Sequence, residues 1–322
     1  MVKYFSVVLL VLLNASMYSQ KKGSDYTAKN VMINHHGRLF GTLQESKKNK
    51  ANSTVALIIA GSGPTDRNGN SSLALQTNCL RMLADSLSAY GISSLRFDKR
   101  GVGESADVKL KEADLRFTTY VEDAAEWAKY LTENKKFKNV FVVGHSEGSL
   151  IGMLVCQKVK CAGFISLAGP GRNADELLVE QLQKQNESMA KDAAKILAAL
   201  RADEPVKEVS PMLQSLFRPS VQPYMKSWIS LNPAEELKKL NIPVQIINGS
   251  TDVQVSSKEA QLLSTAMPAA ELKIIEGMSH ILKSAPADYQ ENIKTYFQPE
   301  LPLHPDIART IYTFILKHNK NL

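Results

Sequence analysis

The sequence predicts an α/β fold: a mostly parallel central sheet with helices on both faces and an inserted helical segment. Three observations carry this. Val55 to Ala60 and Val140 to Val143 are short continuous apolar runs, as strands buried on both faces would be. Amphipathic helical patterns alternate with such runs, which is what a parallel sheet with crossover helices requires. From about Gly171 to Glu236 the rhythm breaks, with helical patterns and no strand.

In chain order, Lys3 followed by the apolar run Phe5 to Leu13 and the small residues Ala15 and Ser19 has the form of a signal peptide over 1–19, cut before Gln20. The run is shorter than the ~20 apolar residues that span a bilayer. This predicts an exported protein, periplasmic or secreted, with no stable membrane insertion after cleavage; an uncleaved N-terminal anchor is the alternative. Val31 to Ile33 and Leu39 to Leu43 flank His35-His36-Gly37 as a hairpin. After the strand Val55 to Ala60 comes a glycine-rich turn, then a helix over about Leu73 to Tyr90 closed by Gly91. Ile92 to Phe97 is the next strand and Thr118 to Asn134 the next helix. Val140 to Val143, Gly163 to Ala168, Val244 to Asn248 and Lys273 to Ile275 read as further strands. Helices near Ser257 to Met267 and over Pro305 to Lys317 complete the pattern.

Within the strandless stretch, Leu178, Leu182, Met189, Ile196 and Leu200 recur at steps of four and seven, as on one face of a long helix. The expected division is therefore a core in two parts, 20–170 and 237–322, around a helical cap over 171–236. A longer crossover connection is the plainer alternative for that cap.

Composition excludes several classes. The net charge of +7 comes from scattered lysines, with no arginine-rich stripe interleaved with aromatics, so no nucleic-acid partner is expected. The three cysteines, Cys79, Cys156 and Cys161, read as small buried apolar residues; Cys156 and Cys161 could otherwise pair across a helix-to-strand turn. No Cys/His cluster has zinc spacing, and the glycine-rich turn lacks a phosphate-loop ending, so neither metal nor cofactor is expected.

The chemistry centres on Gly144-His145-Ser146-Glu147-Gly148. A G-x-S-x-G between an apolar strand and a helix describes a nucleophile elbow, which lifts the serine above the sheet. A serine hydroxyl needs a base. Among six histidines, His145 adjoins the serine, and the turn geometry points it elsewhere; His280 in Gly277-Met278-Ser279-His280 follows the last strand, in a loop that in this fold overhangs the elbow, and His304 is the reserve. The base needs an acid to hold its tautomer. Asp252, three residues past Gly249 at the end of the strand Val244 to Asn248, supplies it, with Glu276 as a rival and a simple turn aspartate as the plain alternative. An oxyanion needs preformed donors: the backbone N–H groups of Glu147 and of Ser62, in the turn Gly61 to Asn70, are the candidates.

With the order Ser…Asp…His, the chain resembles the α/β-hydrolase superfamily over nearly its whole exported length. More narrowly it resembles exported bacterial esterase-like hydrolases through residues 61–70, 144–148, 249–255 and 277–283, with a distant likeness to prolyl-oligopeptidase-type peptidases. Asp98 to Ser105 matches a D-x-R-G-x-G-x-S turn in which Asp98 and Arg100 are expected to brace the backbone. The resemblance implies a serine hydrolase acting on small carboxylic esters, with short acyl chains because the cap's polar residues Gln181 to Glu187 leave little apolar lining. Two other functions stay open. One is a peptidase for short peptides, with Asp66 and Glu147 as exposed carboxylates for a peptide amine. The other is a non-catalytic binding protein on the same fold.

Overall fold

The structure, a computed structural model, describes residues 25–48, 54–71, 75–107, 111–133 and 137–319. The expected signal peptide and its cut site lie outside these residues. Eight strands form one sheet in the order β1-β2-β6-β3-β7-β8-β9-β10. They are β1 (Tyr26–Asn34), β2 (Arg38–Ser46), β3 (Thr54–Ile59), β6 (Ser93–Phe97), β7 (Asn139–His145), β8 (Gly163–Leu167), β9 (Val244–Gly249) and β10 (Glu271–Ile275). The hairpin β1–β2 runs antiparallel at one edge, and β6, β3, β7, β8, β9 and β10 are mutually parallel. All six parallel strands thus present their carboxyl ends along one edge, where ligands bind in open α/β sheets.

β3 shows why the continuous apolar runs are strands. Val55, Leu57 and Ile59 pack into the core on one face, Ala56, Ile58 and Ala60 into the core on the other. The first layer is closed by α2 (Phe117–Glu133), α3 (Glu147–Lys158) and α9 (Ser257–Ala266), the second by α1 (Cys79–Ala89) and α11 (Pro305–His318). Truncating a residue such as Leu57, fully buried between the layers, would cost about 2–5 kcal/mol.

Two sequence expectations change. The helix expected from about Leu73 starts at Cys79: residues 70–71 and 75–76 pair instead as a small hairpin, β4 (Asn70–Ser71) with β5 (Leu75–Gln76). Asn78 then enters the left-handed region at φ 52°, and its N–H is held by the Asn70 side chain at 2.9 Å. The long helix expected over Leu178 to Leu200 is two, α4 (Ala174–Gln185) and α5 (Glu187–Arg201). Asn186 breaks it with extended backbone and caps α5 by accepting the Met189 N–H at 3.0 Å. Leu182, Ile196 and Leu200, with partly buried Leu178 and Met189, therefore join a separate apolar cluster with Phe217, Met225 and Ile229. The last two lie on α7 (Gln222–Ile229); the short helices α6 (Gln214–Phe217) and α8 (Pro233–Lys238) flank it. The exit from β8 into these helices is pinned: Gly171 and Arg172 N–H groups both bind the buried Glu259 carboxylate, which also pairs with the Arg172 guanidinium. A short helix α10 (Tyr289–Lys294) follows the histidine loop. Among the described residues no helix is long and apolar enough to cross a membrane.

Candidate active site

Ser146 sits between β7 and α3 with φ 56° and ψ −123°, a strained conformation for a residue bearing a Cβ. The flanking glycines make room for it. A Cβ on Gly144 would run into the backbone of Gly148 and Ser149, and one on Gly148 would lie 2.6 Å from the Ala60 carbonyl oxygen. The elbow is thus wedged against the end of β3, and the Ser146 N–H is held by the Leu167 carbonyl at 2.9 Å.

His280 and Asp252 converge on the same sheet edge. His280 Nδ1 lies 2.8 Å from Asp252 Oδ2, and both side chains are almost fully buried. The other oxygen, Oδ1, accepts the backbone N–H groups of Gln254 at 2.9 Å and Val255 at 2.8 Å. Asp252 is therefore a turn aspartate and a histidine partner at once. The acid turn and the histidine loop meet because Gly249 has no side chain: a Cβ there would clash with the Met278 backbone. Ser146 and His280 line one cavity of about 290 Å³ with Gly61, Ser62, Leu75, Ile281 and Tyr296. No hydrogen bond joins the Ser146 hydroxyl to His280 in this structure; such contacts are often long before substrate binds.

The alternative groups are placed elsewhere. His304 caps α11, its Nδ1 accepting the Asp306 N–H at 3.3 Å, and Glu276 is exposed to solvent. Cys79 and Cys161 are buried free thiols and Cys156 is a partly buried one. Asp98 and Arg100 brace the backbone through separate partners. Asp98 accepts the Arg67 N–H at 2.8 Å and its guanidinium at 2.6 Å, which anchors the turn Gly61 to Asn70. Arg100 pairs with buried Asp123 and with the His35 and His36 carbonyls.

Three residues stand differently from the sequence expectation. Glu147 is not an exposed carboxylate. It is buried, accepts the Tyr224 hydroxyl at 2.8 Å, and faces the Lys99 ammonium at 3.5 Å. Burial and the neighbouring carboxylate hold the Tyr224 phenol well above its usual range, so it stays a donor. Asp66 is half-buried and uses Oδ1 on the N–H groups of Asn68 and Asn70. His145, expected to point away from the site, lies against the histidine loop: its Nε2–H donates to the His280 carbonyl at 2.8 Å. Burial and the adjacent His280 push the His145 imidazole down to about 4.

That depression gives a pH prediction. An unfolded histidine titrates near ~6.5. Between that value and about 4 the unfolded chain binds the extra proton, so stability rises with pH across this window and falls as pH drops through it. The full effect is on the order of 3 kcal/mol. Thermal melts from pH 4 to 7 are expected to show a steeper loss of Tm on acidification in the wild type than in His145→Gln, whose amide can still donate to the His280 carbonyl. Equal slopes would remove His145 as the responsible group.

The parallel sheet, the strained serine at its carboxyl edge and the crossover helices on both faces define the α/β-hydrolase fold. Residues 74–222 match the family model of serine aminopeptidase, S33. Esterase EstD of Thermotoga maritima is 26% identical over 255 residues, 74% of this chain; the match spans only 58% of that relative's length. Among solved structures, ferulic acid-bound Est1E from Butyrivibrio proteoclasticus superposes with a TM-score of 0.60 at 18% identity, covering 89% of this chain and 98% of that one. The proline iminopeptidase of Mycobacterium smegmatis gives 0.58 at 14% identity, covering 90% and 99%. At these identities the solved structures speak for the fold.

Proposed function

We propose that the chain is a carboxylic ester hydrolase working through an acyl-enzyme. The observation that carries the reading is the 2.8 Å pairing of buried His280 and Asp252 beside a cavity that Ser146 lines. Ser146 attacks the acyl carbon while His280 takes its proton and then protonates the leaving alcohol. Ser62 and Glu147 N–H groups hold the oxyanion. Water, activated by the same histidine, then releases the acid.

The likeness to serine aminopeptidases raises a second reading, peptide hydrolysis. Amine recognition needs a free carboxylate near the serine. Among the described residues the cavity lining includes neither Asp nor Glu, Glu147 is engaged by Lys99 and Tyr224, and Asp66 is engaged in its own turn. This favours an ester over a peptide substrate. Turnover of an aminoacyl amide faster than of every ester would reverse the choice.

Among the described residues, the cavity's large apolar lining consists of Leu75, Ile281 and Tyr296, with Gly61, Ser62, Thr65, Ser71 and Gln254 among the rest. Each acyl methylene contributes its ~0.8 kcal/mol only against apolar lining. Short acyl groups, of about two to six carbons on that argument, are expected to give the highest kcat/KM across a p-nitrophenyl ester series; an optimum at palmitate would contradict this. We read residues 171–236 as a cap over the sheet edge and residues 1–19 as an export signal, the latter testable by N-terminal sequencing of the enzyme recovered from its cells.

A further inference from the structure

Lys99 leaves the carboxyl end of β6 inside the core, its side chain 2% exposed. Its ammonium donates to the Gly61 carbonyl at 2.6 Å, lies 3.5 Å from Glu147 Oε1, and sits 5.1 Å from the centre of the Tyr120 ring. The Gly61 oxygen belongs to the same peptide unit as the Ser62 N–H. In a planar trans peptide the C=O and N–H point in opposite directions, so a grip on the oxygen sets the direction of the hydrogen. Gly61 itself abuts the nucleophile, since a Cβ on it would lie 3.1 Å from Ser146 Cβ. The Ser62 N–H donates to no acceptor among the described residues, so no hydrogen bond of its own fixes this plane. A cation on the carbonyl oxygen also polarises the unit, which makes the N–H a stronger donor.

The same ammonium faces the side chain of Glu147, whose backbone supplies the other oxyanion donor. We propose that Lys99 is a positioning residue that orients and polarises the Ser62 N–H and ties it to the Glu147 end of the oxyanion hole. The proposal rests on the ester hydrolase reading above. An ion pair serving only to tie the Asp98 turn to α3 would place the ammonium closest to the carboxylate; here the carbonyl is nearer by almost an ångström. Glu147 is fixed from its far side by Tyr224 of α7, so the network also joins the helical segment to the oxyanion hole.

Lys99→Met alone would strand a buried carboxylate, so the test variant is Lys99→Met/Glu147→Gln, which removes both charges and keeps an acceptor for Tyr224. Should it fail to fold, Lys99→Leu/Glu147→Gln, which likewise leaves no donor for the Gly61 carbonyl, is read the same way. The readouts are kcat and KM for p-nitrophenyl butyrate, inhibition by a trifluoromethyl ketone whose adduct carries an oxyanion, and fluorophosphonate labelling. A weakened oxyanion donor is expected to lower kcat about 10- to 100-fold with KM nearly unchanged, and to weaken the ketone by a similar factor. In a folded variant, unchanged kcat and ketone affinity, or a loss confined to KM, would overturn the role of Lys99 and leave the ester reading standing. A wild-type enzyme that neither turns over esters nor labels would remove both.

Discussion

Ser146→Ala is expected to lower ester turnover by about 10⁴-fold or more and to abolish fluorophosphonate labelling, with little change in Tm. The serine hydroxyl makes no hydrogen bond among the described residues, so its removal leaves none of them unsatisfied. The backbone strain at φ 56° is the same for alanine as for serine. Glycine relieves it. Ser146→Gly should therefore be equally inactive yet more stable, by about 1 kcal/mol, because only glycine adopts this conformation without a Cβ clash. The pair separates catalytic loss from folding loss. Labelling retained in a folded Ser146→Ala protein would place the nucleophile elsewhere, and absence of labelling in the wild type would favour the binding-protein alternative.

What could be read from sequence divides along physical lines. Strands such as β3 and β7 were legible because burial on both faces demands an unbroken apolar run. The elbow was legible because backbone contact at Gly144 and Gly148 permits no side chain, which leaves a written trace. The meeting of Asp252 with His280 follows from their positions just past strand ends. The break at Asn186 was not legible, because a step of seven keeps the same helical face whether or not the chain turns back in between. The buried meeting of Lys99 with Glu147, a carboxylate expected to be exposed, is hidden for a different reason. Charged residues at strand and helix ends usually face water, and a sequence does not show that the two ends meet. Their one trace is Lys99 standing between buried Phe97 and Arg100 at the end of a buried strand. His145 is expected to point away because neighbours in sequence at a turn diverge; its ring instead lies tilted at 45° against that of His280, with centroids 4.9 Å apart.

Asp252→Asn is expected to cost about as much in kcat as loss of the serine, near 10⁴-fold, with KM and stability close to wild type. The geometry dictates how. Oδ1 accepts two backbone N–H groups, so an asparagine here must keep its carbonyl oxygen on that side. Its amide NH₂ then faces His280 Nδ1. A flip would aim NH₂ at two donors and is excluded by the same contacts. The imidazole must accept at Nδ1 and carry its proton on Nε2, the nitrogen left to face Ser146, where it can no longer act as base. Asp252→Ala removes the acid without imposing that tautomer. It also strands the Gln254 and Val255 N–H groups and is expected to lose about 1–3 kcal/mol for each one left unsatisfied. The two variants therefore fail differently: the asparagine enzyme melts like the wild type and is slow, whereas the alanine enzyme is slow and melts early. Steady-state kinetics and thermal melts of both variants measure this. An Asp252→Asn enzyme within tenfold of wild-type kcat would show that Asp252 only holds its turn and that His280 is oriented by another group.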